Sequence, residues 1–266
     1  MKRLDIERRA SARGVTRRQF VRGAAVGTGV VLAGTGPLTA VAAKHATCGE
    51  SVQDILTLAY TIERAATTFY YAGLTSTPVM TNRKLAGSSG NPNAVSRNGS
   101  AANVANLQAA LDQEQKHAQI LAGLGATSPY RHFHFPAAAF EHLGFTSLAG
   151  SFLWTLDHLE TACIAVYLAA VQRFGQLRRP DLALLCVRTL AIECEHRALY
   201  RVIAQDDPAD NITLPVADFT CTGAALGYFK PYLTGRGFPS GVAVTKAFVA
   251  PTAVELARAI GKYRSA

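Results

Sequence analysis

The chain contains no Cys-x-x-Cys pair, one tryptophan and two methionines, and charged residues fill only 17% of its 266 positions. Without Cys-x-x-Cys there is no zinc ribbon and no rubredoxin-type iron site. A hydrophobic share of 49% excludes a disordered chain. The 22 glycines follow no three-residue period, which excludes a collagen-like repeat, and five cysteines in this length exclude a disulfide-dense mini-protein. Beyond the N-terminal stretch, no apolar run reaches membrane-spanning length without a charge or a histidine. What remains is a chain long enough to bury a substantial core, as one large domain or two small ones.

The formal charge of +9 invites an acidic partner such as nucleic acid, but its position argues otherwise. Residues 1–43 carry eight basic groups against Asp5 and Glu7, while the remaining 223 residues hold 19 basic and 16 acidic groups. The near-balanced remainder gives no reason to expect nucleic-acid binding. The first 43 residues have a basic start, Thr16-Arg17-Arg18-Gln19-Phe20-Val21, an apolar stretch from Gly23, and Ala40-Val41-Ala42-Ala43. The twin arginine before Phe20 resembles a Tat export signal, and the glycine-rich, weakly hydrophobic stretch suits that better than a Sec signal. Cleavage is expected after Ala42 or Ala43. The competing reading is an uncleaved anchor, but Gly27, Gly29, Gly34, Gly36 and Pro37 make a poor membrane helix. The expected product is periplasmic or extracellular, free of the membrane after cleavage, with the Tat machinery as its export partner. Export permits disulfides, and Cys48 with Cys221, both outside the predicted helices, is the first pair to test. An odd cysteine count leaves at least one thiol free or paired between chains.

Apolar residues recur at a helical period in four later segments, about Ser51–Gly73, Ala101–Gly125, Ser147–Leu177 and Pro180–Gln205. Pro180 occupies a favoured first helical position. Residues 75–100 have loop composition, and 126–146 form a connection long enough to cross the end of a bundle. From Asp206 the chain is rich in proline and glycine, with short β-prone pieces and a helix expected over Pro251–Tyr263. The expected class is all-α: a signal peptide over 1–43, a four-helix bundle over 44–209 with a long crossover between its second and third helices, and an irregular C-terminal extension over 210–266.

Each helix places an acid where its stripe should be apolar. Glu63 lies four residues after Ala59 and three before Ala66, and Glu160 follows Leu153 and Leu156 at +7 and +4. Glu114 follows Leu107 and Leu111 at +7 and +3, with His117 three residues on; Glu193 follows Leu185 and Thr189 at +8 and +4, with His196 three residues on. An i, i+3 spacing aims carboxylate and imidazole at one point. Four ionised carboxylates inside a bundle would each cost several kcal/mol unless paired or metal-bound. Two divalent cations would neutralise them. Chance pairing of nine Glu and seven His yields about 0.24 Glu-x-x-His triplets, yet two occur, each mid-helix. The halves also mirror one another, with Tyr70 seven residues after Glu63 and Tyr167 seven after Glu160. The bland alternative pairs these acids with Arg64, Lys116, Arg188 or Arg197 at helix edges.

The segments Leu56–Leu74, Asn106–Gly125, Phe152–Ala170 and Thr189–Val202 resemble the four helices of the ferritin-like superfamily. They are most similar to its exported, Tat-dependent ferritin-like domain proteins related to desiccation-associated proteins. The resemblance rests on Glu63, Glu114-x-x-His117, Glu160 and Glu193-x-x-His196, together with the Phe-x-Phe-Pro stretch at 133–136. It implies two Fe or two Mn ions held by these six residues and reacting with O₂ or peroxide, as a peroxidase, catalase-like enzyme or ferroxidase in stress protection. A homo-oligomer is compatible with it. The alternative is a non-enzymatic stress or surface-associated protein that uses the bundle as a structural or metal-binding scaffold. A mineral-storing cage fits less well, because the chain after the leader has more bases than acids.

Around this set, Asp157, three residues before Glu160 on the same face, is a candidate to hold the second nitrogen of a ligand histidine, with a solvated helix acid as the equal alternative. Tyr70, Tyr167 and Tyr200 fall on the seam near the site, mainly as core residues with a hydrogen-bonded tip. Cys194 and Glu195 point to flanking faces. His132 and His134 are a weaker surface metal pair. Hard oxygen ligands with two imidazoles suit Fe or Mn over copper.

Overall fold

The computed structural model describes residues 48–87, 99–206, 208–210, 221–242 and 244–263, with the side chains of 225–228 also set aside. The twin-arginine leader and its cleavage site lie outside the described residues. Helix α1 (Val52–Leu74) starts at a reciprocal cap in which Ser51 and Asp54 satisfy each other's backbone N–H groups. Two single-turn helices follow, α2 (Thr77–Met80) and α3 (Arg83–Ala86), inside the segment expected to be loop. Then come α4 (Ala101–Gly123), α5 (Phe152–Gln176), capped by Ser151, and α6 (Pro180–Ala204). The last opens at Pro180 as expected and closes with Gln205 in the left-handed region.

Two antiparallel helix pairs make the bundle. Gln53 at the start of α1 donates to the Gly125 carbonyl beyond the end of α4, at 2.9 Å, so those helices run in opposite directions. The three-residue link after Gln176 forces α5 and α6 to do the same. All four helices carry broad buried faces, and their apolar residues form two clusters. The larger is built on aromatics, with Phe69 against Phe135 (4.9 Å between centroids), Phe140 (5.5 Å) and Phe152 (5.1 Å). Gly73 in α1 is there because Phe152 lies against its Cα, and a Cβ would overlap the ring.

The long crossover is more than a connector. Its strand β1 (His132–Pro136) alternates, sending Phe133 and Phe135 fully into the core. On the other side His132 is exposed and His134 packs at Gly235. Neither histidine joins a group of three ligands among the described residues.

The tail is more regular than its composition suggests. It contains α7 (Thr222–Thr234), which the sequence reading missed and which tolerates Pro231 inside it. It also contains strand β2 (Thr245–Val249), antiparallel to β1 with His132 opposite Val249 and Pro136 opposite Thr245. Helix α8 (Ala253–Ile260) lies inside the expected span and is capped reciprocally by Thr252 and Glu255. Cys48 and Cys221 form a disulfide, with Cα atoms 5.7 Å apart, which fixes the start of α7 beside the start of α1. Glu50 reinforces this join by accepting from the Thr222 N–H at 3.2 Å and from the Gly223 N–H. Cys163, Cys186 and Cys194 are free thiols. No helix among the described residues is long and apolar enough to cross a membrane.

Candidate metal centre

Between the two apolar clusters, the four bundle helices bring six side chains together. Helix α1 delivers Glu63, α4 Glu114 and His117, α5 Glu160, and α6 Glu193 and His196. All four glutamates are 0% exposed. Their ligand atoms form two overlapping groups, each within 4.8 Å: Glu63, Glu114, His117 and Glu193 in one, Glu114, Glu160, Glu193 and His196 in the other. Glu114 and Glu193 belong to both. Each group therefore has two shared carboxylates, one carboxylate of its own and one imidazole.

The distances show the same arrangement. His117 Nδ1 lies 3.1 Å from Glu193 Oε1 and 3.4 Å from Glu63 Oε2. His196 Nδ1 lies 2.9 Å from Glu114 Oε1, 3.4 Å from Glu193 Oε2 and 3.7 Å from Glu160 Oε1. Eight of the ten buried side-chain atoms without a hydrogen-bond partner among the described residues belong to these six residues. Buried polar atoms are normally satisfied. Eight unsatisfied ones on four glutamates and two histidines fit metal binding by oxygen and imidazole.

Three of the four basic residues that could have neutralised the acids, Arg188 excepted, have other partners. Arg64 donates to the Tyr130 carbonyl at 3.0 Å, Lys116 pairs with Asp112 at 3.2 Å, and Arg197 faces Asp157 at 3.8 Å. The helix-edge pairing of the acids with these three does not occur.

Two tyrosines close the site in a crossed pattern. Tyr70, from the helix of Glu63, donates to Glu160 at 2.5 Å, and Tyr167, from the helix of Glu160, donates to Glu63. The repeat at +7 is thus a pseudo-twofold exchange between α1 and α5, possible because those helices run antiparallel. Tyr200 is fully buried and donates to Asp157 at 3.1 Å.

Asp157 does not reach a ligand histidine. It faces Arg201 at 3.3 Å as well as Tyr200, because those side chains on α6 lie nearer than the imidazole. The group at His196 Nε2 is Gln113, at 2.8 Å, a residue the sequence reading passed over. Cys194 and Glu195 do lie on flanking, more open faces.

The electrostatics of the cluster favour protonation of several of its own groups. Burial, then repulsion from Glu193 and Glu63, holds the Glu114 carboxyl well above the usual carboxylate range. Burial and the charges on Glu114 and Glu193 do the same to Glu160. Burial disfavours the charged form of His117, but the Glu63 and Glu193 carboxylates outweigh it and lift its pKa to about 11. His196 is raised in the same way, against burial, by Glu193 and Glu160. Burial also opposes ionisation of Glu193, but the two imidazoles beside it prevail and lower its pKa. Burial, aided by the four glutamates, keeps the Cys163 thiol protonated.

A bundle of two antiparallel helix pairs whose four core acids and two histidines form a pair of overlapping ligand groups defines the class: a ferritin-like carboxylate bundle. The chain belongs to the ferritin-like domain family, whose family model matches residues 51–206. No curated protein and no solved structure gave a significant match.

Proposed function

We propose that this is an exported dinuclear carboxylate protein that holds two Fe or two Mn ions and carries out redox chemistry on O₂ or peroxide in stress protection. One observation carries the reading: eight unsatisfied buried donor atoms on four glutamates and two histidines, arranged as two groups sharing Glu114 and Glu193. In this reading Glu63 and His117 complete one position and Glu160 and His196 the other. The metal pair, when bound, supplies electrons and open coordination positions for the oxidant.

The chain's own residues set the conditions. Glu114 and Glu193, common to both groups, would be ligands shared by the two ions. The tyrosine hydroxyls of Tyr167 and Tyr70 fix the outer carboxylates Glu63 and Glu160 in orientation. Gln113 orients His196 through Nε2, leaving Nδ1 to face the site. Glu114 and Glu160, whose pKa values are raised by burial and by like charges, would lose their protons to bind a cation. For location, the twin-arginine leader and the Cys48–Cys221 disulfide both support an oxidising compartment outside the cytoplasm.

The test is turnover of the metal-loaded protein with O₂ and with hydrogen peroxide, beside a Glu114→Ala variant. The expected result is consumption of one oxidant by the parent and none by the variant. A loaded parent inert to both would sink the enzyme reading and leave a metal-bearing scaffold. Turnover that survives Glu114→Ala would show that the chemistry lies elsewhere.

A further inference from the structure

The two ligand positions are not equally enclosed. The group containing His196 is wholly buried, and that imidazole is gripped by Gln113. The group containing His117 is more open: its imidazole side chain is 11% exposed against 4% for His196. Beside it lies a narrow pocket among α1, α4, α5 and α6. Its floor includes His117 and Tyr167, and its walls include Leu56, Leu121, Leu182 and Leu185. Ile120, 46% exposed, also lines it, so the pocket lies just beneath the surface. The open space is about 10 Å³, room for one molecule of water or diatomic size.

The surface facing the pocket is mostly apolar, so a water, a cation or a peroxide would lose hydrogen bonds on the way in. A neutral apolar diatomic has none to lose. We infer that this pocket is the access and holding site for dioxygen, delivering it to the His117–Tyr167 side of the cluster. The inference rests on the proposed redox role and deepens it, naming dioxygen as the oxidant that uses this pocket and the His117 side as the face it meets.

The experiment uses the mature protein and two plugging variants, Ala59→Leu and Thr189→Leu, each of which adds bulk to the pocket wall. Crystals of metal-free protein under xenon pressure report the pocket directly, with no metal needed. Xenon is expected between Leu56 and Leu185 in the parent and absent there in a folded variant. In stopped flow, oxidation of bound ferrous ion by O₂ should fall at least about tenfold in the variants, since oxygen must then wait for local opening of the bundle. Iron stoichiometry and the rate with hydrogen peroxide should hold. Xenon elsewhere only, an unchanged O₂ rate, or equal slowing with both oxidants would overturn the assignment. A parent that binds xenon in the pocket but no metal would keep the apolar site and overturn the redox reading, so the two failures are distinct.

Discussion

Replacing Glu114 by glutamine separates the fold from the metal. Glu114 is fully buried and shared by both ligand groups, and burial with the neighbouring Glu193 and Glu63 carboxylates raises its pKa, favouring the neutral carboxyl without metal. A glutamine has the same shape and the same neutral charge, so the metal-free Glu114→Gln protein should match the parent within about 1 kcal/mol. The loaded proteins should differ widely. An ion at a hundredfold excess over its Kd adds about 2.7 kcal/mol, so two ions add about 5 kcal/mol. At about 2–4 °C per kcal/mol for a domain of this size, the parent should gain about 10–20 °C in Tm on loading. Loss of a shared charged ligand should remove most of that gain at both positions. Thermal unfolding with and without Fe(II) or Mn(II), under anaerobic conditions, reads both quantities at once. A variant that keeps the full metal-dependent gain would refute the shared role of Glu114. A metal-free variant weakened by several kcal/mol would show that the carboxyl is ionised there, and that protons do not neutralise the site.

Other outcomes follow from the same geometry. Because the pKa values of Glu114, Glu160 and His117 are all raised without metal, loading at pH 7 should release protons, up to about three per chain from these groups, measurable by titration in two buffers of different ionisation enthalpy. These three raised groups stabilise the metal-free fold fully below their ordinary values. That contribution is lost as pH rises, for His117 through about 11, so the metal-dependent gain in Tm should grow with pH. Tyr167→Phe removes the hydroxyl held against Glu63 and should weaken binding at the His117 position about 10–100-fold, seen as one weak and one tight site by calorimetry. Gln113→Leu should do the same at the His196 position. Cys48→Ser should cost about 2–5 kcal/mol in denaturant unfolding, since the disulfide closes a loop across a sequence separation of 173.

What the sequence made legible follows from the helical period. A glutamate in an apolar stripe stands out against its neighbours, and Glu-x-x-His places both groups on one face, so all six cluster residues could be named without coordinates. The tyrosines at +7 were visible too, but their crossed partners depend on α1 running antiparallel to α5, which no local pattern encodes. Gln113 was missed because an uncharged amide next to Glu114 looks like ordinary helix surface. Asp157 was misplaced because its spacing from Glu160 says nothing of Arg201 and Tyr200 arriving from α6. In the tail, Pro231 and the glycines hid α7, which folds against β1 and the bundle. The pairing of β1 with β2 joins segments more than a hundred residues apart, beyond the reach of any turn signal.

The central claim is that the four buried glutamates and two histidines exist to hold two metal ions. Metal analysis of protein produced from the full sequence, combined with anomalous diffraction at the iron and manganese edges, tests this directly. The account predicts close to two Fe or Mn per chain, with one peak beside His117, one beside His196, and Glu114 and Glu193 between them. A stoichiometry near zero, or ions bound away from these six residues, would contradict it.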